Sequence, residues 1–313
     1  MHERPGVYSN YDASAVVSAG QAPRTVGVAA KARKGTENQP VLLTGYTAGV
    51  AAFGEDETAG MSTILRLLFA NGASTVCAVR VADAGGQAEY QAAFAALADQ
   101  DVQILVCDSA DQAVHQALRT AVEEASAVRR ERIGVVGGDG EDAAALAGVI
   151  ASGKDPAVPL NGAEVSGLGG LNTQYSDNDI DLLVRGGVTP LESVAGTISA
   201  VRGITTRTTT GGESDTTWRE LTTILIVDDV IPAVRSALRS RFSRTKNTAQ
   251  SRSAIRSQVI VELEKKLSAQ IIESYGEVTV TASADDPTVC LVEFSFGVAH
   301  GLNQIYLTVH ITV

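Results

Sequence analysis

The sequence predicts an α/β chain, α+β overall. An α/β sheet domain comes first, followed by a C-terminal domain of two helices and an antiparallel meander, with extended arms at both ends. Three observations predict it. From Thr25 to Ser152, short apolar runs alternate with segments of helical period, the pattern of a mostly parallel sheet. After Val230, two helix-period segments precede three strand-like ones. Finally, Asn303 to Val313 alternates strictly. Ile305, Leu307, Val309, Ile311 and Val313 are apolar, and Gln304, Tyr306, Thr308, His310 and Thr312 stand between them. Period two means a strand with one buried face.

Residues 1–24 are small and polar, punctuated by Pro5, Gly6, Gly20 and Pro23 around the apolar patch Ala15-Val16-Val17. They read as an extended arm or as a disordered terminus. The 25–176 domain begins with strands at Thr25–Ala30 and Pro40–Thr44. A helix over Met61–Asn71 carries Ile64, Leu65, Leu67 and Leu68 and stops at Gly72. A strand at Thr75–Val81, a helix over Glu89–Ala98 and a buried-type strand at Val102–Cys107 follow. Gln112–Arg130 is a helix with Val114, Leu118, Val122 and Ala125 on one face. Arg132–Gly137 is a strand and Glu141–Ser152 a helix. Residues 153–176, rich in Gly, Pro and Asn, form a loop or boundary.

The 177–302 domain opens with a short helix, Asp179–Arg185, closed by Gly186-Gly187. Ser193–Ile204 reads as extended and Thr205–Thr217 as an exposed hairpin or loop. Leu221–Val227 is β-branched and apolar. Asp228-Asp229 then reads as the cap of a helix with Pro232 in its first turn and Ile231, Val234, Leu238 and Phe242 as its stripe. A second helix starts near Ser251 or Ser253, keeps Ile255, Val259, Leu263, Leu267 and Ile271 in register, and ends at Gly276. Strands follow at Val278–Ala282, Thr288–Val298 and, as the arm 303–313, Asn303–Val313.

Composition narrows function. A hydrophobic content of 44% marks a globular chain, and a formal net charge of -11 argues against a general nucleic-acid binder. No run approaches a membrane span, and Met1-His2-Glu3-Arg4-Pro5 lacks the apolar core of a secretory signal. Cys77, Cys107 and Cys290 read as reduced, buried thiols of a protein made in a cytoplasm.

Catalytic and metal-ligating constellations are not found. His2, His115, His300 and His310 are scattered away from cysteine or carboxylate partners at ligand spacing, and no G-x-S-x-G elbow occurs. His115 reads as a solvated helix residue. No cofactor is expected. Gly138-Asp139-Gly140-Glu141-Asp142-Ala143 fits a dinucleotide fingerprint between a strand and a helix. Its third position is only Ala, and Asp and Glu at the helix start would repel a pyrophosphate. An acidic strand-to-helix turn is the simpler reading. Gly148–Lys154 resembles a phosphate loop but follows a helix and continues into Asp155, which lacks the hydroxyl that Mg²⁺ needs. The Gly167-Leu168-Gly169-Gly170 loop has no cation nearby to hold an anion.

One charge feature stands apart. From Val230 to Val261 the chain carries Arg235, Arg239, Arg241, Arg244, Lys246, Arg252 and Arg256 and no acidic residue. This is either a solvated helix face or a contact for an acidic partner, screened by salt. The acidic remainder makes DNA the weaker partner.

Several ordered motifs together resemble the contractile tail sheath family of phages, phage-tail-like bacteriocins and related injection machines. Arg4-Pro5-Gly6-Val7-Tyr8 is similar to the sheath opening R-P-G-V-Y. Pro40–Thr44 followed by Phe53-Gly54 resembles the strand before the family's F-G turn. Leu68-Phe69-Ala70-Asn71-Gly72-Ala73 leading to Val79-Arg80-Val81 resembles the F-x-N-G-G and V-x-R-V segment, with Ala73 in place of the second Gly. Gly186-Gly187-Val188-Thr189-Pro190 resembles N-G-V-x-P. Arg202–Thr206, Asp215–Leu221 and Ala299–Ile305 look like the version found in Gram-positive phages.

The resemblance implies a non-enzymatic structural subunit of a virion tail or tail-like particle, assembled in the bacterial cytoplasm. Such subunits form helically stacked hexameric rings around a tail tube and contract to drive it through a cell envelope. The implied partners are other copies of the chain, the tail tube protein, and baseplate and tail terminator proteins, with no nucleic acid and no membrane insertion. The resemblance further implies inter-subunit strand exchange, assigned here to Val7, Tyr8, Val16, Val17, Ile305, Leu307, Val309 and Ile311. The basic residues Arg235, Arg239, Arg241, Arg244, Lys246 and Arg252 then become candidates for a tube-facing surface. The competing readings are an α/β nucleotide-binding enzyme using the Gly138–Ala143 turn and a nucleic-acid binder using the basic stretch.

Overall fold

A computed structural model describes residues 24–55, 60–82, 85–137, 140–171, 173–210 and 212–303. The strand-exchange candidates at both ends, and all but the first residue of the expected final strand, lie outside the described residues.

The α/β unit is built on a five-stranded sheet. Its elements are β1 (Val26–Ala30), β2 (Val41–Leu43), α1 (Tyr46–Phe53), α2 (Met61–Ala70), β3 (Val76–Arg80), α3 (Gln87–Ala98), β4 (Ile104–Cys107), α4 (Gln112–Ala127), β5 (Ile133–Val135) and α5 (Glu141–Ser152). The strand order is β2-β3-β1-β4-β5. Only β2 runs antiparallel, so the expected mostly parallel sheet is found. β1 and β4 are buried along their whole length, as continuous apolar runs require when helices cover both faces. On one face α2 and α5 pack with Ile64, Leu65, Leu68, Ala144 and Ala147 fully buried. On the other, α3 and α4 bury Tyr90, Phe94, Leu97, Val114 and Leu118.

Two details differ from the sequence expectation. Helix α1 has no clear signature in the sequence, because Gly and Ala leave little pattern and only Gly49 and Phe53 are buried. Gly49 is there for contact: a Cβ would lie 2.5 Å from Leu65 Cδ1. Helix α4 stops at Ala127, short of Arg130, and Arg129 reverses the chain at φ 65°. The reversal brings Arg132 under the end of α3. Its guanidinium, fully buried, donates to the carbonyls of Leu97 (3.0 Å), Ala98 (3.2 Å) and Gln100 (3.3 Å). A cation here satisfies the orphan acceptors at the negative end of the helix dipole.

Next come β6 (Ala163–Glu164), α6 (Asp177–Arg185), β7 (Leu191–Val194) and β8 (Thr197–Ala200), with β8 central in a three-stranded sheet. The stretch expected to be one extended segment is a hairpin, turned by Ala195 (φ 52°) and Gly196 (φ 85°). The Thr-rich run does form a small hairpin, β9 (Thr209–Thr210) with β10 (Glu213–Ser214). Leu191, Ile198, Ala200, Leu221 and Leu225 join the α2–α5 core, so the two expected domains share packing.

In the C-terminal part, α7 runs unbroken from Leu221 to Phe242, and α8 runs from Ala249 to Ser268. Asp228-Asp229 therefore lies inside a helix and caps nothing. Leu221 to Val227 is buried at every position, and that burial overrides the strand preference of its β-branched residues. Pro232 sits mid-helix and has no N–H to give to the carbonyl of Asp228 four residues back. Helix α8 begins with the Thr248 hydroxyl accepting from the Ser251 amide (3.1 Å) and ends well before Gly276. Gln270 reverses the chain at φ 58°. Ile271, expected on the helix stripe, is buried in the lead-in to a strand.

The strands β11 (Ile272–Tyr275), β12 (Thr279–Ala282), β13 (Cys290–Glu293) and β14 (Phe296–Val298) include the first two of the three expected antiparallel meander strands, and the third, from residue 304 on, lies outside the described residues. β12 pairs with β13 and β11 with β14, both antiparallel, and the Gly276 amide bonds the Ser295 carbonyl between them (2.9 Å). The result is one long two-stranded ribbon with a break near its middle, turning at Asp285-Asp286-Pro287. Val230, Val234 and Leu238 of α7 meet Val259 and Leu263 of α8 and Ile272 and Val278 of the ribbon in a separate core.

Candidate functional site: the basic helical corner and the open ribbon

The corner between α7 and α8 collects the basic stretch, and the structure sorts its residues into different jobs. Arg235 turns inward. It donates to both carboxylate oxygens of Glu131 (2.8 and 3.1 Å), with side-chain exposures of 15% and 5%. This bidentate pair ties α7 to the lead-in of β5. Arg241 reaches across to donate to the side-chain Oε1 of Gln258 on α8. Arg252 donates to Asn247 Oδ1 (2.9 Å), and the Asn247 amide donates to the carbonyls of Pro287 (2.9 Å) and Val289 (3.2 Å). Arg252 thus steadies the ribbon's turn. Arg256 donates to the Val278 carbonyl (2.7 Å). Arg239, Arg244 and Lys246 point outward and are exposed. The outward basic surface is therefore narrower than the sequence run: Arg239, Arg244 and Lys246, with Arg241 beside them.

Against this corner lies the ribbon. One face packs on α8 through Val280, Val292, Phe294, Phe296 and Val298, and Leu291 on the other is 47% exposed. Among the described residues each of its strands has a single strand partner, which leaves each outer edge without a second described strand beside it. An edge of this kind can take an added strand by main-chain bonds alone. The chain leaving the ribbon is pinned at its neighbour. Asn161 Nδ2 donates to Asn303 Oδ1 (2.7 Å), and a Cβ on Gly301 would lie 2.8 Å from Pro159 Cβ. Gly301 allows close packing there and has no left-handed φ.

The enzyme-like features fare differently. The Gly138–Ala143 turn, described from Gly140 on, packs backbone against backbone. A Cβ on Gly140 would lie 2.9 Å from Asp108 Cα, and one on Gly137 3.3 Å from Ala143 Cβ. Asp108, at the carboxyl end of β4, accepts from the Tyr90 hydroxyl and from the Lys31 amide (3.0 Å). Burial holds its carboxyl above the usual range. With Glu141 and Asp142 in the first turn of α5, the crevice presents acid and packed backbone where a pyrophosphate would need donors. A cleft of about 1150 Å³ beside β5 is lined by Val136, Tyr175, Val188, Ile204 and Arg207. His115 at its rim is part-buried rather than solvated, its Nε2–H donating to the Ser109 carbonyl (2.7 Å). No cluster of metal-ligand type occurs among the described residues. Burial pushes the Cys77 and Cys107 thiols up to about 11, which makes them inert.

Residues 213–312 match the phage tail sheath C-terminal domain family. The tail sheath protein of Bacillus phage SP01 is 30% identical over 135 residues, 43% of this chain and 23% of that protein, so the match spans under a quarter of the relative. Among solved structures, the sheath tail protein of Desulfitobacterium hafniense superposes with a TM-score of 0.74 at 12% identity, covering 98% of this chain and 100% of that one. The helical sheath of the anti-feeding prophage in its contracted state gives 0.73 at 13% identity, covering 99% of each chain. At these identities the superpositions show a shared fold.

Proposed function

We propose, for a chain that belongs to the contractile tail sheath family, that it is a non-enzymatic structural subunit that polymerises around a tail tube and contracts to drive it through a target envelope. The observation that carries this reading is the sheath fold over essentially the whole chain, together with the family match at its C-terminal third. The further parts of the reading concern geometry. Subunits form hexameric rings stacked helically. A contact between unlike surfaces that does not close generates such a filament. The open edges of the β11–β14 ribbon receive strands from neighbouring subunits. The donor segments are residues 1–24, through Val7, Tyr8, Val16 and Val17, and residues 303–313, through Ile305, Leu307, Val309 and Ile311. Main-chain ladders of this kind tolerate changes in subunit angle, which contraction demands.

Arg239, Arg241, Arg244 and Lys246 face an acidic tube and hold the extended state by charges that salt screens. Baseplate and terminator proteins close the ends of the polymer. The sheath reading also accounts for a basic corner on a chain of net charge -11 without invoking DNA. Deleting Gln304–Val313 tests the exchange. The expected product is a folded subunit, by circular dichroism and cooperative melting, that forms no sheath. A deletion that unfolds the chain would make the segment an internal core element and end the exchange model.

A further inference from the structure

The seam between the α/β sheet and the α7–α8 unit holds an unusual set of charges. Helix α7 crosses the amino-terminal edge of the parallel strands, where Arg24 enters β1 and Glu131 enters β5. Arg24 donates to the last carbonyls of α5, at Ile150 (2.8 Å) and Gly153 (3.0 Å). Glu131 is held by Arg235 as described above. Asp229 is paired with Lys266 of α8, both nearly buried. Each of these carboxylates has its own cation. Asp228 does not. The residue is half-buried, but its Oδ1 is sealed from solvent and has no hydrogen-bond partner. Because Pro232 has no N–H, the backbone carbonyl of Asp228 also lacks its helical donor.

We propose that Asp228 is a proton-dependent latch: the neutral carboxyl lets α7 seat on the lower edge of the sheet, and its ionisation loosens that seat. The inference goes beyond the sheath reading and does not depend on it. The groups facing Asp228 decide the sign. Desolvation is the largest cause disfavouring the anion, the like charge of Glu131 comes next, and Asp229 adds to it. Arg24 opposes them but is committed to the α5 carbonyls, and together these effects raise the carboxyl well above the ordinary aspartate range. Arg235 and Lys266 are engaged by Glu131 and Asp229. Between the ordinary aspartate range and that raised value, the folded state therefore binds a proton that the unfolded chain releases. Stability is fully present below the ordinary aspartate range and declines as pH rises towards the raised folded value. Repulsion between Asp228 and Glu131 acts across the seam, so the loosening falls between the two layers.

The test compares full-length wild type with Asp228→Asn in thermal unfolding from pH 5 to pH 8. The midpoint of the variant should exceed that of wild type at pH 8, and the gap should shrink towards pH 5. Asp108, also raised by burial, contributes the same sign to both proteins and cancels in the difference. A gap independent of pH would overturn the latch. Hydrogen exchange on wild type, corrected for intrinsic base catalysis, reads the seam without any substitution. Protection should fall at pH 8 in residues 221–235 and around Arg24 and Glu131, and stay constant in α2 and β3. Protection unchanged with pH in α7, or lost evenly over the chain, would equally overturn it.

Discussion

Arg235 is the residue whose sequence context most misrepresents its work, and replacing it gives a quantitative test. In Arg235→Ala the Glu131 carboxylate, 5% exposed, loses a bidentate partner while remaining near Asp228. Removing one member of a buried ion pair costs about 3–5 kcal/mol, because the remaining charge stays desolvated. Arg239, four residues on, is exposed, and its replacement by Ala should change stability by about 0.5 kcal/mol or less. Urea unfolding of the two variants measures the difference directly through the midpoint at constant slope. A double-mutant cycle with Glu131→Ala separates pair energy from lost packing. The double variant should recover part of the loss, since no uncompensated charge remains. Equal small effects at Arg235 and Arg239, or a coupling energy near zero, would refute the inward placement and return Arg235 to the outward basic surface.

Further outcomes follow from other sites. Arg239→Glu combined with Arg244→Glu should weaken co-assembly with the tube protein in pull-down while leaving the melting temperature nearly unchanged. Wild-type co-assembly should itself fall with added salt, and the idea fails if both are insensitive. Leu263→Ala, at a fully buried position of the α7–α8 core, should cost about 2–5 kcal/mol in denaturant unfolding. Arg132→Ala leaves buried carbonyls at the end of α3 without donors and should cost about 3 kcal/mol on the same assay. Cys77 and Cys107, held protonated to about 11, should resist alkylation at pH 8 in the folded protein and react once it is unfolded. Fast native labelling at both would contradict their burial.

What the sequence made legible is what local pattern encodes. The apolar runs of β1 and β4 announce strands covered on both faces, and Ile64 to Leu68 announces a helix with one apolar side. Failures came where burial or a distant partner decides. Leu221–Val227 has strand-like residues, yet surroundings that bury every position make it the first turns of α7. Ile271 continues the α8 register, but Gln270 at φ 58° has already turned the chain into β11. Within the expected antiparallel meander, local pattern does not show that Ile272–Tyr275 is a strand of its own, nor that the Gly276 amide and Ser295 carbonyl carry the pairing across a break into one ribbon. Of the basic run, sequence located the corner but not its division of labour. The partners of Arg235, Arg252 and Arg256 are Glu131, Asn247 and the Val278 carbonyl, and for Arg235 the partner lies over a hundred residues away. The sequence signal at Asp228 points to the wrong role. An acidic pair four and three residues before a proline looks like a cap, whereas Asp229 pairs with Lys266 and half-buried Asp228 keeps one carboxyl oxygen sealed without a partner.

Negative-stain electron microscopy of the purified protein shows whether this chain polymerises as a sheath subunit does. Tubes or stacked rings with six-fold end views are expected. Monodisperse globules over a range of concentrations, in protein shown to be folded, would contradict sheath polymerisation.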